Sequence, residues 1–81
     1  MDNRTLAQRL SSLAHTLESK HASLYRVRAY RRAAETVLGL DRPVQELVEQ
    51  GGRKTLADLP GIGRSLSRTI EDLIHGIEVE K

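Results

Sequence analysis

Apolar residues recur along this chain at three- and four-residue intervals, the repeat of one buried helix face, and nowhere alternate as a half-buried strand would. The first stripe is Leu6, Leu10, Leu13 and Leu17 with Ala7 and Ala14 beside it; Asp2 or Asn3 can cap this helix, which runs to about Lys20. Such a stripe suits a dimer seam or a core, and three repeats in a small chain favour the core. Ser23 caps a second helix whose inward positions are Val27, Tyr30, Ala34, Val37 and Leu38, ending near Leu38-Gly39. Asp41-Arg42-Pro43 breaks the chain and opens a third, with Val44, Leu47 and Val48 facing inward and Gly51-Gly52 closing it. Thr55 caps a short helix, Leu56-Ala57-Asp58, and a last helix carries Leu66, Ile70, Leu73 and Ile74 to a stop at His75-Gly76. Ile77 to Lys81 reads as a tail. The pattern predicts an all-α fold: a compact bundle of four main helices plus a short hairpin helix, in a single domain over residues 1–81.

Composition narrows the chemistry. Eighty-one residues bury only about 60–65% of their unfolded surface, too little for a core plus a deep catalytic cleft. A binding module is the expectation. Phe, Trp and Cys are absent, so the core is aliphatic and neither disulfides nor thiolate metal sites can form. His15 and His21 lie six apart, which does not make a helical metal pair, and both read as surface residues. The longest apolar run falls far short of a membrane span or signal sequence, so no membrane partner is expected and the location expected is cytoplasmic. Net charge is only +2, yet Arg26, Arg28, Arg31 and Arg32 crowd one stretch, and Arg53, Lys54, Arg64 and Arg68 flank another. Local charge therefore says more than the sum.

Between those basic stretches lies Leu59-Pro60-Gly61-Ile62-Gly63. Pro60 fixes one backbone angle, Gly61 can take a positive φ, and Gly63 allows a backbone or ligand to come close. The helix that follows opens at the glycines, so the free amides of its first turn form a small anion site. A dinucleotide fingerprint would need a third glycine where Leu66 stands, and a P-loop would need Gly-Lys-Ser/Thr, which the chain lacks. The plainer alternative is a helix-to-helix turn, glycine-rich because its helices pack closely.

The stretch resembles the hairpin of helix-hairpin-helix DNA-binding motifs, which grip the phosphates of one strand through backbone amides. The resemblance implies donors at Gly61, Gly63, Arg64 and Ser65, with Arg64 and Arg68 adding charge one helical turn apart. Together with Tyr25-Arg26-Val27-Arg28-Ala29-Tyr30-Arg31-Arg32-Ala33-Ala34 upstream, Leu56 to Gly63 is similar to the N-terminal domain of family X DNA polymerases, the group that includes DNA polymerase beta, over about Leu6 to Gly76. That likeness implies sequence-independent binding of single-stranded, gapped or nicked DNA, with Arg26, Arg28, Arg31 and Arg32 as the basic surface, and a place in DNA repair or beside a polymerase or other repair protein. It also implies a monovalent cation, K⁺ or Na⁺, on the carbonyl oxygens of Ala57, Leu59 and Ile62.

Some members of that family are also 5'-deoxyribose phosphate lyases, using a lysine that forms a Schiff base. The matching position here is Thr69, whose hydroxyl cannot form an imine, and the supporting basic position is Ser65. Arg68 stays protonated and is a poor substitute. No aspartate cluster could hold the two metals of nucleotidyl transfer. The expectation is a DNA-binding protein without catalytic residues or a small-molecule substrate, free-standing if its Met1 start is natural. The alternatives are a lyase and a protein-interaction module.

Overall fold

The computed structural model describes residues 1–76, and the tail expected over Ile77 to Lys81 lies outside the described residues. Four helices follow in order: α1 (Asn3–Ser19), α2 (Leu24–Leu38), α3 (Val44–Ala57) and α4 (Gly63–Ile74). No strand occurs among the described residues, and no helix among them is long and apolar enough to cross a membrane. The long helix contacts run between α1 and α2 and between α3 and α4, while α1 also touches α4. One core joins them: Leu6, Leu10, Ala14 and Leu17 from α1, Val27, Tyr30, Ala33 and Val37 from α2, Val44 and Leu56 from α3, and Leu66, Ile70 and Leu73 from α4.

The helix starts show how local chemistry is shared across the molecule. Asp2 is the N-cap of α1, accepting the Thr5 amide at 2.7 Å; that bond holds the carboxyl below its usual pKa. Asn3 does a different job. Its Oδ1 accepts the Val44 amide at 2.9 Å and its Nδ2 donates to the Arg42 carbonyl at 2.8 Å, so a residue of α1 caps α3. Ser23 caps α2 by accepting the Arg26 amide.

Three expectations need correction. Leu38 is 60% exposed rather than inward, because Val37 points straight into the core and the next residue on a helix turns about 100° away. Ala33, fully buried, completes that face. Leu13 sits at the rim of its stripe, with Ala14 taking the central place. Gly51-Gly52 does end a helical run, since α3 is two helices joined across a break at Gly52, but the second of them starts earlier than expected. Gly52 takes φ 68° and ψ −164° within α3, and the helical path resumes at once. Thr55 is therefore helical and caps nothing. Its hydroxyl oxygen lies 1.8 Å from where a Cβ on Gly51 would stand, so a side chain at 51 would force the Thr55 hydroxyl to another position. The stretch after the kink is the short helix of the sequence pattern, started earlier than expected and ending at Ala57. Arg53 reaches Glu71 at 4.0 Å, linking that stretch to α4.

Candidate nucleic-acid interface

The turn from α3 to α4 is built on a proline followed by a glycine. Ile62 donates its amide to the Leu59 carbonyl at 3.1 Å, Pro60 holds the second position, and Gly61 takes φ 77° at the third. These are the marks of a type II β-turn. Gly63 follows with φ 66° and starts α4. Ile62 is driven into the core while Pro60, Gly61, Gly63, Arg64 and Ser65 stay exposed. The apolar side chain goes in and the backbone stays out.

That backbone is chemically unfinished. Side chains cap the starts of α1, α2 and α3, but none caps α4. The amides of Gly61, Gly63, Arg64 and Ser65 meet no acceptor among the described residues. Four N–H groups at the positive end of a helix dipole, unpaired and open to solvent, favour an anion.

Two clefts meet at Gly61. The larger, of about 560 Å³, lies between the start of α2 and the hairpin, and is lined by Tyr25, Arg26, Ala29 and Tyr30 on one side and by Gly61, Gly63, Arg64 and Ser65 on the other. The smaller, of about 430 Å³, is lined by Tyr25, Arg28, Ala29, Arg32 and Gly61. Arg26, Arg28, Arg32 and Arg64 thus gather around the open amides, and none of them forms an ion pair among the described residues. Unneutralised guanidinium groups beside free N–H donors make this the basic centre of the molecule. Arg68, exposed one turn beyond Arg64, lines neither cleft. Arg31 is not gathered there either: its guanidinium pairs with Glu18 of α1 at 3.0 Å.

Tyr25 is a residue of these clefts that the sequence pattern did not single out. Its ring is 83% exposed, yet it borders both clefts. The available signal was its place outside the apolar repeat of α2, in a chain with only two tyrosines and no phenylalanine or tryptophan. Tyr30 is the opposite case, at 9% exposure, packed in the core while one part of it walls the larger cleft.

The carbonyls expected to take a cation come from residues that line the same cleft, Ala57, Leu59 and Ile62. Leu59 already accepts one hydrogen bond, from Ile62, whereas the Ala57 and Ile62 oxygens accept none among the described residues. Neutral carbonyl oxygens with free lone pairs are the donor chemistry that a weakly held monovalent ion takes. No cluster of His, Asp or Glu able to hold a metal occurs among the described residues. At the position where a lyase would carry its amine, Thr69 is half-buried, with its hydroxyl 3.4 Å from the Ser65 carbonyl.

A family model described as a helix-hairpin-helix domain matches residues 1–77. No curated protein matches the chain.

Proposed function

The chain belongs to the helix-hairpin-helix domain family, whose members generally bind nucleic acid, and on that premise we propose that it binds DNA containing a single-stranded stretch, such as a gap or nick, without reading its sequence. What supports this is one coincidence of place: the open amides of Gly61, Gly63, Arg64 and Ser65 border the cleft that also holds Arg26 and Tyr25. The amides and the Arg26 and Arg64 guanidinium groups hold one phosphate, and Arg28 and Arg32 hold a neighbouring one across Gly61. Tyr25 offers an exposed ring against which an unpaired base can stack, a contact that any base can make. The contacts proposed are to phosphates and to a ring face, neither of which reads sequence. A monovalent cation on the carbonyls of Ala57, Leu59 and Ile62 would add a positive charge to the same phosphate.

The protein is proposed to bind and not to cleave. Thr69 offers a hydroxyl where an imine-forming amine would be needed, and Lys54, exposed on α3, is not at that place. The setting is proposed to be DNA repair, alone or joined to a polymerase of the family X type.

Fluorescence titration of a labelled gapped duplex at 50 and 200 mM salt tests the reading. With two to four phosphates neutralised, log K falls against log salt with a slope of about −2 to −4, and the Kd is of order 10⁻⁴ to 10⁻⁶ M. Absence of binding at the lower salt removes the DNA reading and leaves a protein-interaction module. Borohydride treatment with an abasic 5'-phosphate substrate yields no adduct; a covalent product would reinstate the lyase.

A further inference from the structure

We propose that Thr36 is a positioning residue for this nucleic-acid site, because it fixes which way the Gly61 amide points. The assignment rests on the function proposed above. Two sets of donors must act together, and they belong to different parts of the molecule: the arginines ride on α2, and the amides on the turn between α3 and α4. Ile62 joins the two through the core, but apolar packing has no direction and does not orient a peptide plane. One hydrogen bond does. The Thr36 hydroxyl donates to the Pro60 carbonyl at 2.8 Å, across 24 residues of chain.

The bonded carbonyl is the informative part. Pro60 O and Gly61 N–H belong to the same trans peptide and point in opposite directions. In a β-turn that central peptide is the one whose reversal converts type II into type I, and glycine at the third position is compatible with both. Residue 61 therefore does not choose the orientation by itself. By holding Pro60 O against Thr36 of α2, this bond directs the Gly61 N–H away from that contact and leaves it without a protein acceptor among the described residues. With the peptide reversed, a carbonyl oxygen would face the phosphate in place of a donor. Arg32 lies on the same seam: its Cγ and Cδ pass 2.9 Å from the position of a Cβ on Gly61, so one turn of α2 holds both the peptide and the charge beside it.

The test uses Thr36→Val, which keeps the branched shape and removes the hydroxyl, and Thr36→Ser, which restores it. Amide NMR spectra of the free proteins report the turn, and titration of the gapped duplex reports the site. Expected for Thr36→Val are a shifted or broadened Gly61 amide signal, a thermal midpoint close to that of the unsubstituted protein, and roughly fivefold weaker binding, equivalent to about one hydrogen bond. The salt slope stays unchanged because no cation is removed, and Thr36→Ser returns both the signal and the affinity. A Thr36→Val protein with an unaltered Gly61 signal and unaltered affinity overturns the proposal while leaving DNA binding intact. Equal weakening in Thr36→Val and Thr36→Ser overturns it as well. Failure of the unsubstituted protein to bind removes the DNA function, and the Gly61 signal then still decides whether Thr36 sets the turn.

Discussion

The molecule joins helices by tight turns at two places and finishes them in opposite ways. After α1, His21 takes a left-handed conformation at φ 61°, the Ala22 amide donates to Leu17 O at 2.9 Å, and the His21 amide donates to Glu18 O at 3.1 Å. This is a Schellman close, in which the turn consumes its own hydrogen-bonding groups, and Ser23 then caps the helix that follows. After α3, the turn satisfies a single amide, that of Ile62, and leaves four others open with no cap on the next helix. Both turns reverse the chain. The first ends on a side-chain cap, whereas the second opens a helix that has none and is the turn that the unpaired arginines surround. An ordinary helix-to-helix turn in this protein looks like residues 20–23, which argues against reading residues 59–63 as a turn and nothing more.

The most severe way to break the contrast is Gly61→Val. At φ 77° an L-residue costs about 1–2 kcal/mol, and a β-branched one is a true outlier there. Its Cβ would also meet the Arg32 stem at 2.9 Å, displacing a cation of the site. The expected result is at least a tenfold loss of affinity for gapped DNA, together with a stability loss of about 1–2 kcal/mol seen in thermal melts. A folded Gly61→Val protein that binds as before would show that the hairpin amides are not the donors.

A finer division runs within α2. Arg28 and Arg31 are neighbours in sequence, but Arg28 lines a cleft at Gly61 while Arg31 is held by Glu18 on α1. Arg28→Ala is expected to weaken binding evenly across sequences and reduce the magnitude of the salt slope by about 1. Arg31→Ala removes a half-exposed ion pair and leaves the slope unchanged, with stability altered by less than about 1 kcal/mol. Equal effects from the two would mean that the basic surface is continuous around α2.

What the sequence could convey follows from the range of the interactions involved. Helix periods and caps are local, so the all-α architecture, Asp2 and Ser23 were legible, and the Pro60-Gly61 turn with its exposed amides was as well. Partners distant in the chain were not. Nothing near Arg31 shows that Glu18 will meet it, nothing near Asn3 points to Val44, and nothing near Thr36 points to Pro60. Each depends on which faces pack together. Gly51-Gly52 shows a different limit: the two glycines mark the break that Gly52 makes, but nothing in them shows that the next helix resumes at once, before Thr55. Leu38 shows a third, since five apolar residues fit one helical face in outline while the last of them falls past its edge.

The mildest substitution, His21→Gly, questions the comparison from its other side. If residues 20–23 are only a turn, their left-handed residue is a matter of backbone energy. Replacing histidine there removes the steric cost of about 1–2 kcal/mol and adds the unfolded-chain entropy of glycine, about 0.5–1 kcal/mol. The net expectation is a gain of about 0.5–1 kcal/mol, or roughly 2–8 °C in thermal midpoint for a domain of this size. DNA affinity should not move, because the amides of His21 and Ala22 remain bonded to Glu18 and Leu17 whichever side chain residue 21 carries. Glycine improves this turn for the same reason that valine ruins the other: both positions have positive φ, and the difference between them lies in what their amides face. A His21→Gly protein that is more stable yet binds DNA less well would place the first turn inside the interface, and the open hairpin would then no longer account for binding without it.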